Sequence, residues 1–139
     1  MAKIFNSISI VGGLVGGFLC KYLGGYDDIL RALVILVVLD YITGVLKGIT
    51  TKTLSSAVGF KGLVKKVFIF IVVATGVSVQ GVVGDTIPLR EIVIIFFICN
   101  EGISLLENAS EFVPIPKRLK DTLIQLRQKV EEGENDKQL

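Results

Sequence analysis

Asp40 and Glu101 stand out chemically, because each is a carboxylate placed inside a long apolar run. An ionised carboxylate in such a run is costly unless it is paired, hydrated or neutralised. Thr43, Gly44 and Lys47 follow Asp40 at offsets of three, four and seven, so the acid sits on a small and polar helical stripe. Glu101, Ser104 and Asn108 form a matching stripe, overlapped by Asn100, Ser104, Glu107 and Glu111. Counted from residues 29 and 87, where their runs begin, the two acids come within about 5 Å in depth at about 1.5 Å of rise per residue. Lys65 and Lys66 open another run from the same side, and a lysine stem reaches several ångströms along a helix. An inward-facing cluster of Asp40, Glu101 and Lys65 or Lys66 is therefore expected. Two roles stay open for it: an ion pair that holds helices together, or a water-lined gate.

Other chemistries lack their residues. Catalysis by the paired carboxylates would need a nucleophile or an oxyanion site, and neither is evident. The chain has no histidine, and its two cysteines, Cys20 and Cys99, are too far apart for a metal-binding spacing. No metal and no cofactor are expected, nor is a disulfide within the chain, because the two thiols fall at different depths. Gly59, Gly62 and Lys65 only superficially resemble a phosphate loop; the required G-x-x-x-x-G-K-[ST] spacing is missing. A net charge of +2 gives no reason to expect nucleic acid as a partner.

The elements that position these residues are hydrophobic. A hydrophobic fraction of 51% with only 20% charged residues points to a membrane protein. Apolar runs cover residues 4–23, 29–46, 63–83 and 87–106, each close to the length that crosses a hydrocarbon core of about 30 Å. The expected fold is an all-α integral membrane bundle of about four transmembrane helices over 1–113. A cytoplasmic amphipathic helix over 114–132 and a disordered tail over 133–139 complete it. The first run is the weakest, carrying Asn6, Ser7, Ser9 and the pairs Gly12-Gly13 and Gly16-Gly17; lying in the membrane interface is its alternative. Lys21-Tyr22-Leu23 is no signal-peptidase site, so this run is expected to be retained.

Charge sets the orientation, since short loops rich in Lys and Arg stay cytoplasmic. Lys3, the lysines at 47, 52, 61, 65 and 66, and the basic residues from Lys117 to Lys137 fall on one side. The other side carries only Lys21 and Arg90 beside Asp27, Asp28, Asp85 and Glu91. Both termini are expected in the cytoplasm. Residues 50–66 read as a lysine-bearing connector, either a plain cytoplasmic loop or a re-entrant segment drawn to anionic lipid. Leu119, Leu123, Leu126 and Val130 give the terminal helix its apolar stripe. Gly12 with Gly16, Gly13 with Gly17, and Gly44 with Gly48 satisfy the small-x-x-x-small pattern of close helix approach, within one chain or between chains.

Three strings then carry a resemblance: LDYITGVLKG over 39–48, LSSAVGFKGLVKK over 54–66, and EGISLLENASEFVPIPKRL over 101–119. Together they resemble the phage-lysis and toxin-secretion holins of Gram-positive bacteria and their phages. The resemblance rests on Asp40, on Ser56, Gly59, Gly62 and Lys66, and on Glu101, Ser104, Glu107 and Asn108. It implies a non-enzymatic protein of the bacterial cytoplasmic membrane that forms homo-oligomers among lipids and opens lesions for a cell-wall hydrolase or toxin. An oligomeric ion channel or small transporter, and an accessory subunit of a membrane complex, are the competing readings.

Overall fold

The computed structural model describes residues 1–133, and its regular structure there is helical throughout: α1 (Ala2–Tyr22), α2 (Asp28–Thr50), α3 (Ser56–Val83), α4 (Leu89–Ala109) and α5 (Lys117–Glu132). Local chemistry sets the boundaries. Asp27 caps α2 by accepting the Leu30 N–H at 3.1 Å, and Ser55 caps α3 by accepting that of Val58 at 3.2 Å. Between α1 and α2 the chain turns through Gly24 and Gly25 at φ +82° and +95°, a backbone region open to glycine at little cost. Pro88 and Pro116 stand just ahead of α4 and α5. The tail expected over 133–139 lies outside the described residues from 134 onward.

The helices α2, α3 and α4 form the bundle. Leu30, Leu33 and Val37 of α2 meet Ile69 and Val73 of α3 and Ile94 of α4 in one buried core. Their spacings of three and four are those of a single helix face. Asp27 lies against Arg90 and Asp40 near Glu101, so α2 and α4 run parallel. Gln80 against Arg90 and Lys66 against Glu101 make α3 antiparallel to both. Helix α1 stands largely apart. None of its residues is buried, and its final turn meets α3 around an apolar cavity of about 460 Å³ between Leu19, Tyr22, Leu23 and Phe70.

Two expectations change. The connector is short, because Ser56 to Lys66 already belongs to α3 and only residues 51–55 link it to α2. The Ser55 cap starts the helix there, and Gly59 and Gly62 leave room for the Tyr41 ring. Helix α5 does not stand off as a separate unit but folds back along α4, with Leu123 seated over Gly102. Its expected stripe splits: Leu123 and Val130 pack, while Leu119 and Leu126 stay exposed and Ile124 and Arg127 take the inner face.

By length and composition α1, α2 and α3 are apolar enough to cross a membrane. Helix α4 has the length but carries Arg90, Glu91, Glu101 and Glu107. Large apolar side chains remain exposed along α1, α2 and α3, as lipid contact requires. Replacing the fully buried Leu33 by Ala should destabilise the bundle by about 2–5 kcal/mol. Leu39→Ala, at a side chain 42% exposed, should cost far less. Chemical unfolding in mixed micelles compares the two.

Candidate functional site

Continuing the core face of α2 from Leu33 and Val37, the next inward position is Asp40, 6% exposed. The Lys66 ammonium of α3 reaches both Asp40 Oδ2 and Glu101 Oε2 of α4, the latter at 2.5 Å. One cation thus joins three helices through two carboxylates. Asn108 completes the group, donating from Nδ2 to Asp40 Oδ1 at 3.1 Å and to Thr43 Oγ1 at 3.3 Å. Thr43 donates in turn to the Leu39 carbonyl at 2.9 Å, so the layer is closed by backbone. Beside it opens a cavity of about 580 Å³, walled by Asp40, Tyr41, Lys66, Glu101, Ser104 and Leu54.

The remaining sequence candidates distribute around this layer. Lys65 is exposed at the cavity rim, without an ion pair among the described residues. Glu107 turns to Lys120 of α5 at 2.9 Å and lies outside the cluster. A side chain on Gly44 would meet Asn108, and one on Gly48 would press on Leu54, so this glycine pair serves packing within the chain. Gly12, Gly13, Gly16 and Gly17 have nothing within 4 Å of where a Cβ would stand. The Tyr41 hydroxyl donates to the Gly59 carbonyl at 3.3 Å, which holds the Ser56, Gly59 and Gly62 stretch to α2. Cys20 and Cys99 are free thiols.

A second polar layer, absent from the sequence reading, closes the opposite end. Arg90, 6% exposed, donates Nε to the Leu23 carbonyl at 2.6 Å and Nη2 to the Gly25 carbonyl at 2.9 Å. Its Nη1 and Nη2 grip the two oxygens of Asp27 at 2.8 and 3.0 Å, and its own N–H donates to Gln80 Oε1 at 2.9 Å. The guanidinium occupies the place where a Gly24 Cβ would project, so glycine is required there. Hydrogen bonding from Arg90, with help from the Leu30 N–H, overcomes the effect of burial and holds the Asp27 carboxyl at about 2, below its ordinary 3.8. The available signal was slight: a lone arginine in the first turn of an apolar run, and an aspartate far away in sequence.

The profile of the bacteriophage holin family matches residues 17–128. The chain belongs to the bacteriophage holin family. A 14.9 kDa protein of Clostridium perfringens from the nagH 3' region is 37% identical over 131 residues, covering 93% of this chain and 99% of its own. A Listeria innocua protein is 37% identical over 124 residues, 88% of this chain and 86% of its own. A protein of Bacillus phage phi105 named "Probable holin" is 33% identical over 103 residues, 73% of this chain and 76% of its own. No solved structure matches. The part of the chain that the family profile matches contains both polar layers and leaves Gly12, Gly13 and Gly16 outside. Holins permeabilise membranes, and the apolar helices of this one make it a membrane protein.

Removing the shared cation should be costly. Lys66→Met leaves two buried carboxylates uncompensated, with an expected loss of about 3–5 kcal/mol. Adding Asp40→Asn and Glu101→Gln to it should recover part of that loss, read from unfolding in micelles. The outer layer predicts a pH dependence. Because folding lowers the Asp27 pKa, its stabilisation is present above 3.8 and disappears as pH falls through about 2. Asp27→Asn should remove that component of the acid transition, measured by thermal unfolding across this window.

Proposed function

We propose that this protein is a holin that gathers in the bacterial cytoplasmic membrane, self-associates and opens lesions through which a cell-wall hydrolase or toxin leaves. The family match over residues 17–128 carries the reading. Four crossings are part of it. Helix α4 is bound to α2 by the Arg90–Asp27 layer at one end and the Lys66 layer further along, so it accompanies α2 through the membrane. Its Arg90 and Glu101 face partners inside the bundle, which offsets part of the composition that would exclude it as an isolated span. The distribution of basic residues supports a cytoplasmic side for the N-terminus, the 51–55 connector and the 110–116 segment.

Self-association is supported by α1. Its glycines at 12, 13, 16 and 17 form a small-residue surface that nothing among the described residues covers, and such surfaces favour close helix contact in lipid. No catalytic step is required of the protein, and no cofactor. The cavity beside Lys66, with Asp40 and Glu101 in its wall, favours one second reading, an ion channel or small transporter.

Induced expression in a bacterium, with membrane potential and release of a cytoplasmic reporter protein followed together, tests the proposal. Abrupt loss of potential with reporter release is the expected result. Loss of potential without protein release would favour the channel, and neither event at high membrane levels would leave an accessory subunit. Gly16→Leu, at a position where an added Cβ meets nothing within 4 Å among the described residues, should delay or abolish release while the protein remains folded.

A further inference from the structure

The bundle is amphipathic across its width, and α5 is the reason. Helix α5 runs antiparallel to α4, with Lys120 on Glu107 at 2.9 Å, Leu123 over Gly102, Arg127 on Asn100 at 3.0 Å, and Val130 beside Ile92, Val93 and Phe96. From residue 107 to residue 93 of α4 this contact spans about 21 Å. It ends within about one turn of the Arg90 layer.

Between Arg31 at one end of these levels and Lys65 toward the other, the exposed surface of α2 is Ile35, Val38, Leu39 and Ile42, and that of α3 includes Phe68 and Ile71. Those side chains suit lipid. The outward face of α5 does not: Arg118, Thr122, Gln125, Lys129 and Glu132, spaced by four, three, four and three, are all exposed. A bundle crossing a bilayer in this form turns one side to hydrocarbon and holds a charged helix at the same depth on another. Lipid satisfies none of those groups.

We propose, resting on the lesion-forming reading above, that α5 stays seated on α4 during insertion and that its outward stripe lines the water-filled lumen made by several copies of the chain. The lumen wall then comes from a helix too polar to cross a membrane by itself. Helix α5 enters from the cytoplasmic side along α4 and never meets lipid. The apolar faces of α2 and α3 form the outer wall, and the stripe chemistry suits a wide aqueous path.

A cysteine pair tests this. Gly102→Cys with Leu123→Cys, made with Cys20→Ser and Cys99→Ala, can lock α5 to α4 by a disulfide, and the protein is reconstituted into phosphatidylglycerol and phosphatidylethanolamine vesicles loaded with dye and dextrans. The disulfide should form in the vesicles, and the oxidised protein should release dye as fast as the reduced form. Release that vanishes on oxidation and returns on reduction would mean that α5 has to leave α4, overturning the inference while keeping the lesion reading. In a separate single-cysteine variant, Gln125→Cys, attachment of a bulky polyethylene glycol maleimide should lower the largest dextran released; an unchanged limit would remove α5 from the lumen. This second measurement decides the matter if the locked pair fails to assemble. No dye release by the unaltered protein would reject the lesion reading and the inference together.

Discussion

One ammonium shared by two carboxylates holds the architecture in place. Lys66 of α3 cannot leave Asp40 of α2 and Glu101 of α4 without stranding charge inside the bundle, so the three helices are fixed in register and in rotation. Apolar packing alone would tolerate sliding, since one leucine-rich face resembles the next and lipid offers no hydrophobic penalty against separation. Asn108 and Thr43 extend the constraint by using up the second oxygen of Asp40 and tying it to backbone.

The outer layer works differently. Arg90 binds carbonyl oxygens of the α1–α2 turn as well as a carboxylate, so it fixes the path of a loop and the place where α1 departs. Beyond that anchor none of the α1 residues is buried by the other described residues. A rigid three-helix unit therefore carries one nearly free apolar helix with an open glycine surface, an arrangement suited to association between chains. The core between the two layers is apolar, so it offers no polar group to water between one layer and the other.

The same layers explain how α4 can lie among membrane helices despite its composition. Hydropathy measured along one helix counts Arg90 and Glu101 as costs. In the bundle both are paired, and their pairing lies on helices that are themselves apolar. The polarity of α5 is not paired away, because only Lys120 and Arg127 find partners on α4 while its outward charges remain free of α4.

Much of this was legible in the residues. The apolar runs located α1 to α4, the proline-led amphipathic repeat located α5, and the unusual placement of Asp40 and Glu101 inside apolar runs singled them out. These are properties of single helices, where composition and a period of 3.6 residues suffice. Whether Lys65 or Lys66 would answer the acids was not decided by the sequence, because neighbouring residues point about 100° apart and only the rotation of α3 against α2 and α4 selects one. The Arg90 acceptors are backbone carbonyls, which every residue carries, so composition could not name them. The inner face of α5 was displaced toward Ile124 and Arg127 because Gly102 and Asn100 of α4 determine what fits against it. Periodicity gave each helix its polar and apolar sides; only packing between helices, which fixes their relative rotation and register, decided which of those sides would meet.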